Sequence, residues 1–165
     1  MTCFTAHYDS PIGGMTMASD GTALTALWFE GTRREPQLSG MAPATTVPPV
    51  FDETRRWLDL YFAGNKPDFT PPLTPKGTDF QQRVWGILLT IPYGNTMSYG
   101  DVARLVSPTM SAQAVGGAVG RNPIGIIIPC HRVIGADGSL TGYGGGLERK
   151  RWMLELERQR SMSVI

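Results

Sequence analysis

Asn122-Pro123-Ile124-Gly125-Ile126-Ile127-Ile128-Pro129-Cys130-His131-Arg132-Val133 is the stretch of this 165-residue chain from which the rest can be read outward. Ile126 to Ile128 is a short, continuous β-branched run bounded by Gly and Pro, the pattern of a buried strand. Pro129 has no backbone N–H, so a ladder should stop there. Cys130 is then expected at a strand end, where the backbone turns away and a ligand can approach. A thiol beside a histidine suggests a nucleophile. A buried structural cysteine, packed as a small hydrophobe, fits the pair equally well.

Upstream, the pattern is helical. Thr78 with Gln81 three residues on forms a capping box. Phe80, Val84, Ile87, Leu88 and Ile91 then trace one apolar face, which Pro92-Tyr93-Gly94 ends. Ser98 with Asp101 predicts a second capped helix, running to about Val106 and stopped by Pro108. A third spans Ala112 to about Gly120. Two short helices joined by a tight connection make a helix-turn-helix pattern, a weak signal taken alone. The third helix is almost without side-chain bulk. Gly116 and Gly117 each cost roughly 1 kcal/mol relative to alanine, so they need a reason: close packing on a neighbouring helix, or close approach of a ligand such as a DNA groove. Downstream, a last helix is expected from about Leu147 to Arg160. Its Arg149-Lys150-Arg151 cluster reads as a solvated face.

The first half has a different texture. Phe4 to Tyr8, Met15 to Ala18 and Ala23 to Phe29 read as strands separated by Pro11-Ile12-Gly13-Gly14 and Ser19-Asp20-Gly21, which is the turn chemistry of a meander. A Pro/Ala/Thr-rich loop follows from about Glu35 to Pro49. Phe51 to Phe62 reads as a helix, with Trp57, Leu58, Tyr61 and Phe62 at helical spacing. Thr70-Pro71-Pro72-Leu73-Thr74-Pro75 is a stiff extended linker, which puts the domain boundary between 1–75 and 76–165.

Hydrophobic residues at 41% against 18% charged make the chain globular rather than disordered. Two cysteines and two histidines argue against a disulfide framework and a structural metal. No signal peptide and no membrane-length apolar run is visible. A reducing cytoplasmic setting, without metal or cofactor, is expected for a working thiol. The net charge of +1 hides an asymmetry: residues 1–75 carry five basic and eight acidic groups, residues 76–165 ten basic and six acidic. One half could therefore meet a polyanion.

PCHRVIG, preceded by NPIGIII and followed by LTGYGGG, resembles the active-site signature of the O6-alkylguanine-DNA alkyltransferases (methylated-DNA–protein-cysteine methyltransferases) of the bacterial Ogt type. The similarity runs from about Gly77 to about Glu157. It implies an α/β N-terminal domain, ribonuclease H-like with a small antiparallel sheet plus helix, and a mainly α C-terminal domain with a helix-turn-helix. It implies a monomer acting on double-stranded DNA that contains O6-alkylguanine, with cooperative binding on DNA left open. The expected reaction is irreversible alkyl transfer to Cys130 after base flipping, extended to O4-alkylthymine. A Cys130–water–His131–Glu157 relay would activate the thiol, with Asn122 as a structural hinge. Tyr99, Val133, Tyr143, Gly144 and Gly145 would hold the flipped base and its alkyl group. Gln113, Ala114, Gly117, Arg121 and Arg132 would meet DNA. One departure is plain: Gln113 stands where the family usually places an arginine that enters the base stack. Two rivals stay open at this stage. One is a damage-binding module of the same fold, against which the presence of Cys130 counts. The other is a cysteine hydrolase, for which no separate oxyanion-hole motif is visible.

Overall fold

The computed structural model describes residues 3–32, 42–43 and 48–162, with side chains apart from those of 42–43, 161 and 162. The chain divides into two compact units, Met1–Lys76 and Gly77–Ile165.

In the first unit, β1 (Phe4–Ser10), β2 (Gly13–Ser19) and β3 (Leu24–Phe29) form the expected antiparallel meander, in sheet order β3-β2-β1-β4. The fourth strand, β4 (Ala42–Pro43), lies parallel to β1 at Phe4 and Thr5. It falls inside the segment expected as a loop; the rest of that segment up to residue 47 lies outside the described residues. Met15 and Met17 pair across to Phe29 and Leu27, and all four are buried. Ala18, Ala26 and Trp28 form a smaller cluster against which the half-buried thiol of Cys3 packs.

The helix α1 (Pro49–Phe62) packs across these three strands with Val50, Phe51, Thr54, Trp57, Leu58 and Tyr61 buried, a stripe at helical spacing. Pro49 opens it, where a missing N–H costs nothing. The Tyr8 hydroxyl donates to Asp59 at 2.6 Å, tying β1 to the helix. The proline-rich segment expected as a linker belongs to this unit. Leu24 N–H donates to the Pro72 carbonyl and Thr74 N–H to the Leu24 carbonyl, both at 2.8 Å. Thr74 supplies the donor that the surrounding prolines lack.

The second unit is built on α2 (Asp79–Leu88), α3 (Tyr99–Val106), α4 (Ala112–Gly120) and α5 (Leu147–Met162). Thr78 and Ser98 close the two expected capping boxes, and Ser111 caps α4 by accepting from Ala114 N–H at 3.1 Å. α2 ends a turn earlier than its apolar pattern suggests, although Ile91 beyond it is still buried. Trp85 is buried on α2 and donates its indole N–H to the Ala118 carbonyl at 2.9 Å, so α2 and α4 are joined through a polar contact inside an apolar interface.

Ile126–Ile128 is a correction. The run is buried as expected, but it is a series of tight turns and not a strand. Ile127 N–H bonds the Gly125 carbonyl, Ile128 N–H the Ile124 carbonyl and Cys130 N–H the Ile128 carbonyl. The Asn122 side chain closes the turn from both sides, donating to Ile128 O at 2.8 Å and accepting from Ile124 N–H at 3.0 Å. Local bonds thus take the groups a neighbouring strand would have used. Ile126 takes a φ of 69°, a left-handed conformation unfavourable for a β-branched residue and held here by complete burial. Strand pairing comes just after: β5 (Met97–Ser98) and β6 (Val133–Ile134) form a short parallel pair that the sequence pattern did not announce.

Candidate active site

Cys130 begins a single 3₁₀ turn, Cys130–Arg132, and not the end of a strand. The turn is wholly buried, so three consecutive polar or reactive side chains need partners inside the protein. α5 provides the main one. Glu157, 1% exposed, accepts from His131 Nε2 at 2.6 Å, from Arg132 Nε at 2.8 Å and from Gly94 N–H at 3.1 Å. Taken alone, an acid this far along a charged helix would be read as solvated; the structure buries it against His131.

The electrostatics follow from these contacts. Burial opposes the charge on Glu157, but the bonds from His131 and the Arg132 guanidinium win and hold its carboxyl down at about 2. Burial pushes His131 below its ordinary range despite Glu157, helped by Arg132 and Lys150, so the ring is neutral at pH 7. With Nε2–H donated to the carboxylate, Nδ1 is the basic ring nitrogen. Burial also raises the Cys130 thiol; the Asn122 side chain, the Lys150 ammonium and the N–H groups of Cys130 and His131 pull the other way without overcoming it. The site therefore holds a protonated thiol, a neutral imidazole and an ionised carboxylate.

Arg132 is a second correction. It was expected at the DNA surface, yet it is 8% exposed. Its Nη1 donates to the Ile91 carbonyl at 2.9 Å and its guanidinium lies over the Tyr93 ring. Turned inward by the 3₁₀ turn, it ties Glu157 to the segment that follows α2.

The remaining site candidates separate by exposure. Tyr143 is half-buried, and burial together with the neighbouring Cys130 holds its hydroxyl well above the usual range. Val133 is buried in β6, and Gly144 and Gly145 lie just before α5, where the Gly145 carbonyl accepts from Arg149 at 2.9 Å. On α4, Gln113, Ala114 and Gly117 are exposed, and Arg121 is the exposed residue that ends the helix. Tyr99, at the start of α3, lies beside this face.

The two glycines of α4 can now be judged. A β-carbon added at Gly117 would meet nothing within 4 Å, and one at Gly116 would only touch the Tyr99 ring at 3.8 Å, an ordinary contact. Packing among the described residues does not require either. Of the two reasons open in the sequence, packing on a neighbouring helix among the described residues is removed.

The second unit matches the 6-O-methylguanine DNA methyltransferase DNA-binding domain over residues 79–159, and the first matches the ribonuclease-like domain of the same proteins over 4–75. The chain belongs to this methyltransferase family. A methylated-DNA–protein-cysteine methyltransferase of Mycobacterium tuberculosis is 51% identical over 158 residues, covering 94% of each chain. One of Haemophilus influenzae is 44% identical over 92% of this chain and 84% of that one. Among solved structures, M. tuberculosis OGT in complex with DNA superposes with a TM-score of 0.87 at 49% identity, covering 95% of this chain and 94% of that one. An O6-methylguanine DNA methyltransferase of Methanococcus jannaschii gives 0.65 at 31%, covering 93% of both.

Two features of this methyltransferase escaped the sequence reading. Gly94 N–H binds Glu157 through backbone alone, which no side-chain pattern can signal. Lys150, read as part of a solvated cluster, is fully buried. The spacing Lys150, Met153, Glu157 was its available signal: all three lie on one stripe of α5, and that stripe is the buried one.

Proposed function

We propose that the protein repairs DNA by direct reversal, moving a methyl or larger alkyl group from O6 of guanine, and from O4 of thymine, onto Cys130. The observation that carries this reading is the buried chain of Cys130, His131 and Glu157, with the carboxylate bonded to His131 at 2.6 Å, in a chain of the methyltransferase family. A damaged guanine inside a duplex presents its O6 to the groove, so the nucleotide must be flipped out, at a cost of a few kcal/mol. The exposed Gln113, Ala114 and Gly117 are the groove-facing residues in this reading, with Gln113 entering the vacated stack. The bulk-free helix suits close backbone approach, and Tyr99 beside it would turn the nucleotide. Backbone groups at Cys130 and Val133 would read the guanine edge, and Tyr143, Gly144 and Gly145 would cover the alkyl group.

The chemistry uses the protonation states described above. The thiol proton passes through a water to His131, and Glu157 stabilises the imidazolium. The sulfur attacks the alkyl carbon; a C–S bond forms and the C–O6 bond breaks. The electron pair remains on guanine, which takes back a proton, so that the thiol proton has in effect replaced the alkyl group. A thioether has no ready leaving path, and each molecule acts once, as a monomer and without a metal or cofactor.

Incubation with an O6-methylguanine duplex, followed by intact mass measurement, tests this reading. One methyl gained per chain, without turnover, is expected. Binding without mass gain would make the protein a damage-binding module, and repeated turnover a hydrolase.

A further inference from the structure

We propose that Trp85 is a positioning residue of the transfer site: its indole N–H anchors the C-terminal end of α4 and so sets where Asn122 holds the Cys130 turn. The proposal rests on the alkyl-transfer reading for its purpose, though not for its geometry.

α4 ends in tightened turns. Arg121 N–H bonds the Ala118 carbonyl at 3.2 Å and Asn122 N–H the Val119 carbonyl at 3.3 Å, each three residues back and not four. Were the α-helix to continue, Asn122 N–H would take the Ala118 carbonyl. The second lone pair of that oxygen instead accepts the Trp85 indole N–H at 2.9 Å. Pro123 makes the helix stop, because the residue before a proline avoids the helical conformation. It does not fix where the end sits. Trp85 does, from its buried place on α2. Gly77 shows independently that the ring's position is set. A β-carbon there would stand 2.4 Å from Cη2 and 2.7 Å from Cζ3 of Trp85, closer than such atoms approach. Backbone thus lies against the ring's benzo edge, while the hydrogen bond holds its nitrogen.

From this anchored end the path to the cysteine is bonded throughout. The Asn122 side chain donates to Ile128 O at 2.8 Å and accepts from Ile124 N–H at 3.0 Å. The Ile128 carbonyl also accepts Cys130 N–H at 2.8 Å, so Asn122 and Cys130 share one oxygen. A shift of the end of α4 moves Asn122, and with it the carbonyl from which the Cys130 turn hangs. Ile126, with its left-handed φ of 69°, lies in the same turn, so the turn has a strained conformation to leave if Asn122 lets go. The other face of α4 exposes Gln113, Ala114 and Gly117. One short helix thus carries the groove-facing residues of the repair reading on one side and the Trp85 anchor on the other. The indole keeps a nucleotide turned out by α4 in register with the sulfur.

The test uses the full chain in two forms. Trp85→Phe keeps an aromatic ring and removes the donor. Benzothienylalanine, placed at position 85 alone, puts sulfur where the N–H was in a ring of nearly the same shape. Single-turnover transfer is followed at saturating O6-methylguanine duplex and, separately, with free O6-benzylguanine. In both forms transfer from the saturating duplex should slow about tenfold, the worth of one buried hydrogen bond. A free base is not tethered to α4 and can follow the displaced turn, so its rate, like the duplex affinity, should stay within about twofold of the parent. The Asn122 side-chain amide resonance, identified by its loss in Asn122→Asp, should shift in both forms. Equal slowing with both substrates, an unchanged rate at saturating duplex, a loss confined to duplex affinity, or an Asn122 resonance indifferent to the change would overturn the proposal. Should Trp85→Phe fail to fold, the benzothienylalanine chain, which leaves no cavity, decides. No transfer by the parent from either substrate, with the Asn122 shift present, would remove the alkyl-transfer reading and leave Trp85 as the anchor of Asn122.

Discussion

Glu157 carries more of the site than any other single residue. Its carboxylate holds a neutral imidazole, a buried guanidinium and a backbone N–H together. Removing one partner of such a group strands the others, at about 3–5 kcal/mol. Glu157→Gln should lose stability of that order in urea unfolding; a loss below about 1 kcal/mol would be that of a solvent-screened pair. In whatever fraction folds, alkylation at neutral pH should slow, and the defect should shrink as pH rises and hydroxide takes over the work of His131. Gln113 belongs to the same scale but acts outside the fold, on the exposed face of α4. It can hydrogen-bond an orphaned base, yet it lacks a charged plane to stack. Gln113→Arg should therefore tighten duplex binding and speed repair of duplex substrate. Reaction with free O6-benzylguanine should change much less; equal changes on both substrates would place the residue's effect in the pocket instead.

The elements show how the sequence could be read and where it could not. The caps of α2 and α3 were legible because Thr78 and Ser98 satisfy N–H groups close by in sequence. The meander of β1 to β3 was legible for the same reason, through its turns. The Ile126–Ile128 segment was misread because β-branched burial looks alike in a strand and in a turn, and only the Asn122 side chain, six residues from its acceptor, decides between them. Lys150 was misread because charge normally predicts solvent, and Arg132 because the resemblance put it against DNA; both are turned inward, Arg132 onto Glu157 and Lys150 onto the carbonyls of Val133 and Thr141. Helix α4 gives the cleanest test at this scale. Gly117 has open space where a β-carbon would stand. Gly117→Ala should therefore stabilise the fold by up to about 1 kcal/mol in thermal unfolding, while weakening binding to duplex DNA. Unchanged DNA affinity would show that the backbone there never approaches a ligand closely.

At the scale of the whole molecule, the two histidines titrate in opposite directions. His131, buried in the second unit, is held below its ordinary range, so the unfolded chain takes a proton first as pH falls below about 6.5. That unit should lose stability on acidification from pH 7.5 to 5. The contribution of Glu157 persists in this window, since its folded pKa is about 2, and is lost only below the unfolded carboxylate range. His7, exposed in the first unit beside Asp9 and Glu30, is raised instead, so its contribution is present at low pH and fades as pH rises, weakened by solvent screening. Calorimetry across this range should show the transition of the second unit moving down in acid; a transition that moves up would mean that His131 is not held neutral.

The central claim is that Cys130 is the alkyl acceptor. The direct measurement is intact mass after incubation of parent chain, Cys130→Ser and Cys3→Ser with an O6-methylguanine duplex, alongside DNA affinity for each. The parent chain and Cys3→Ser should each gain one methyl and then stop, while Cys130→Ser should gain none and bind the duplex nearly as well as the parent. A methyl gained by Cys130→Ser, or more than one lesion repaired per parent chain, would contradict the account.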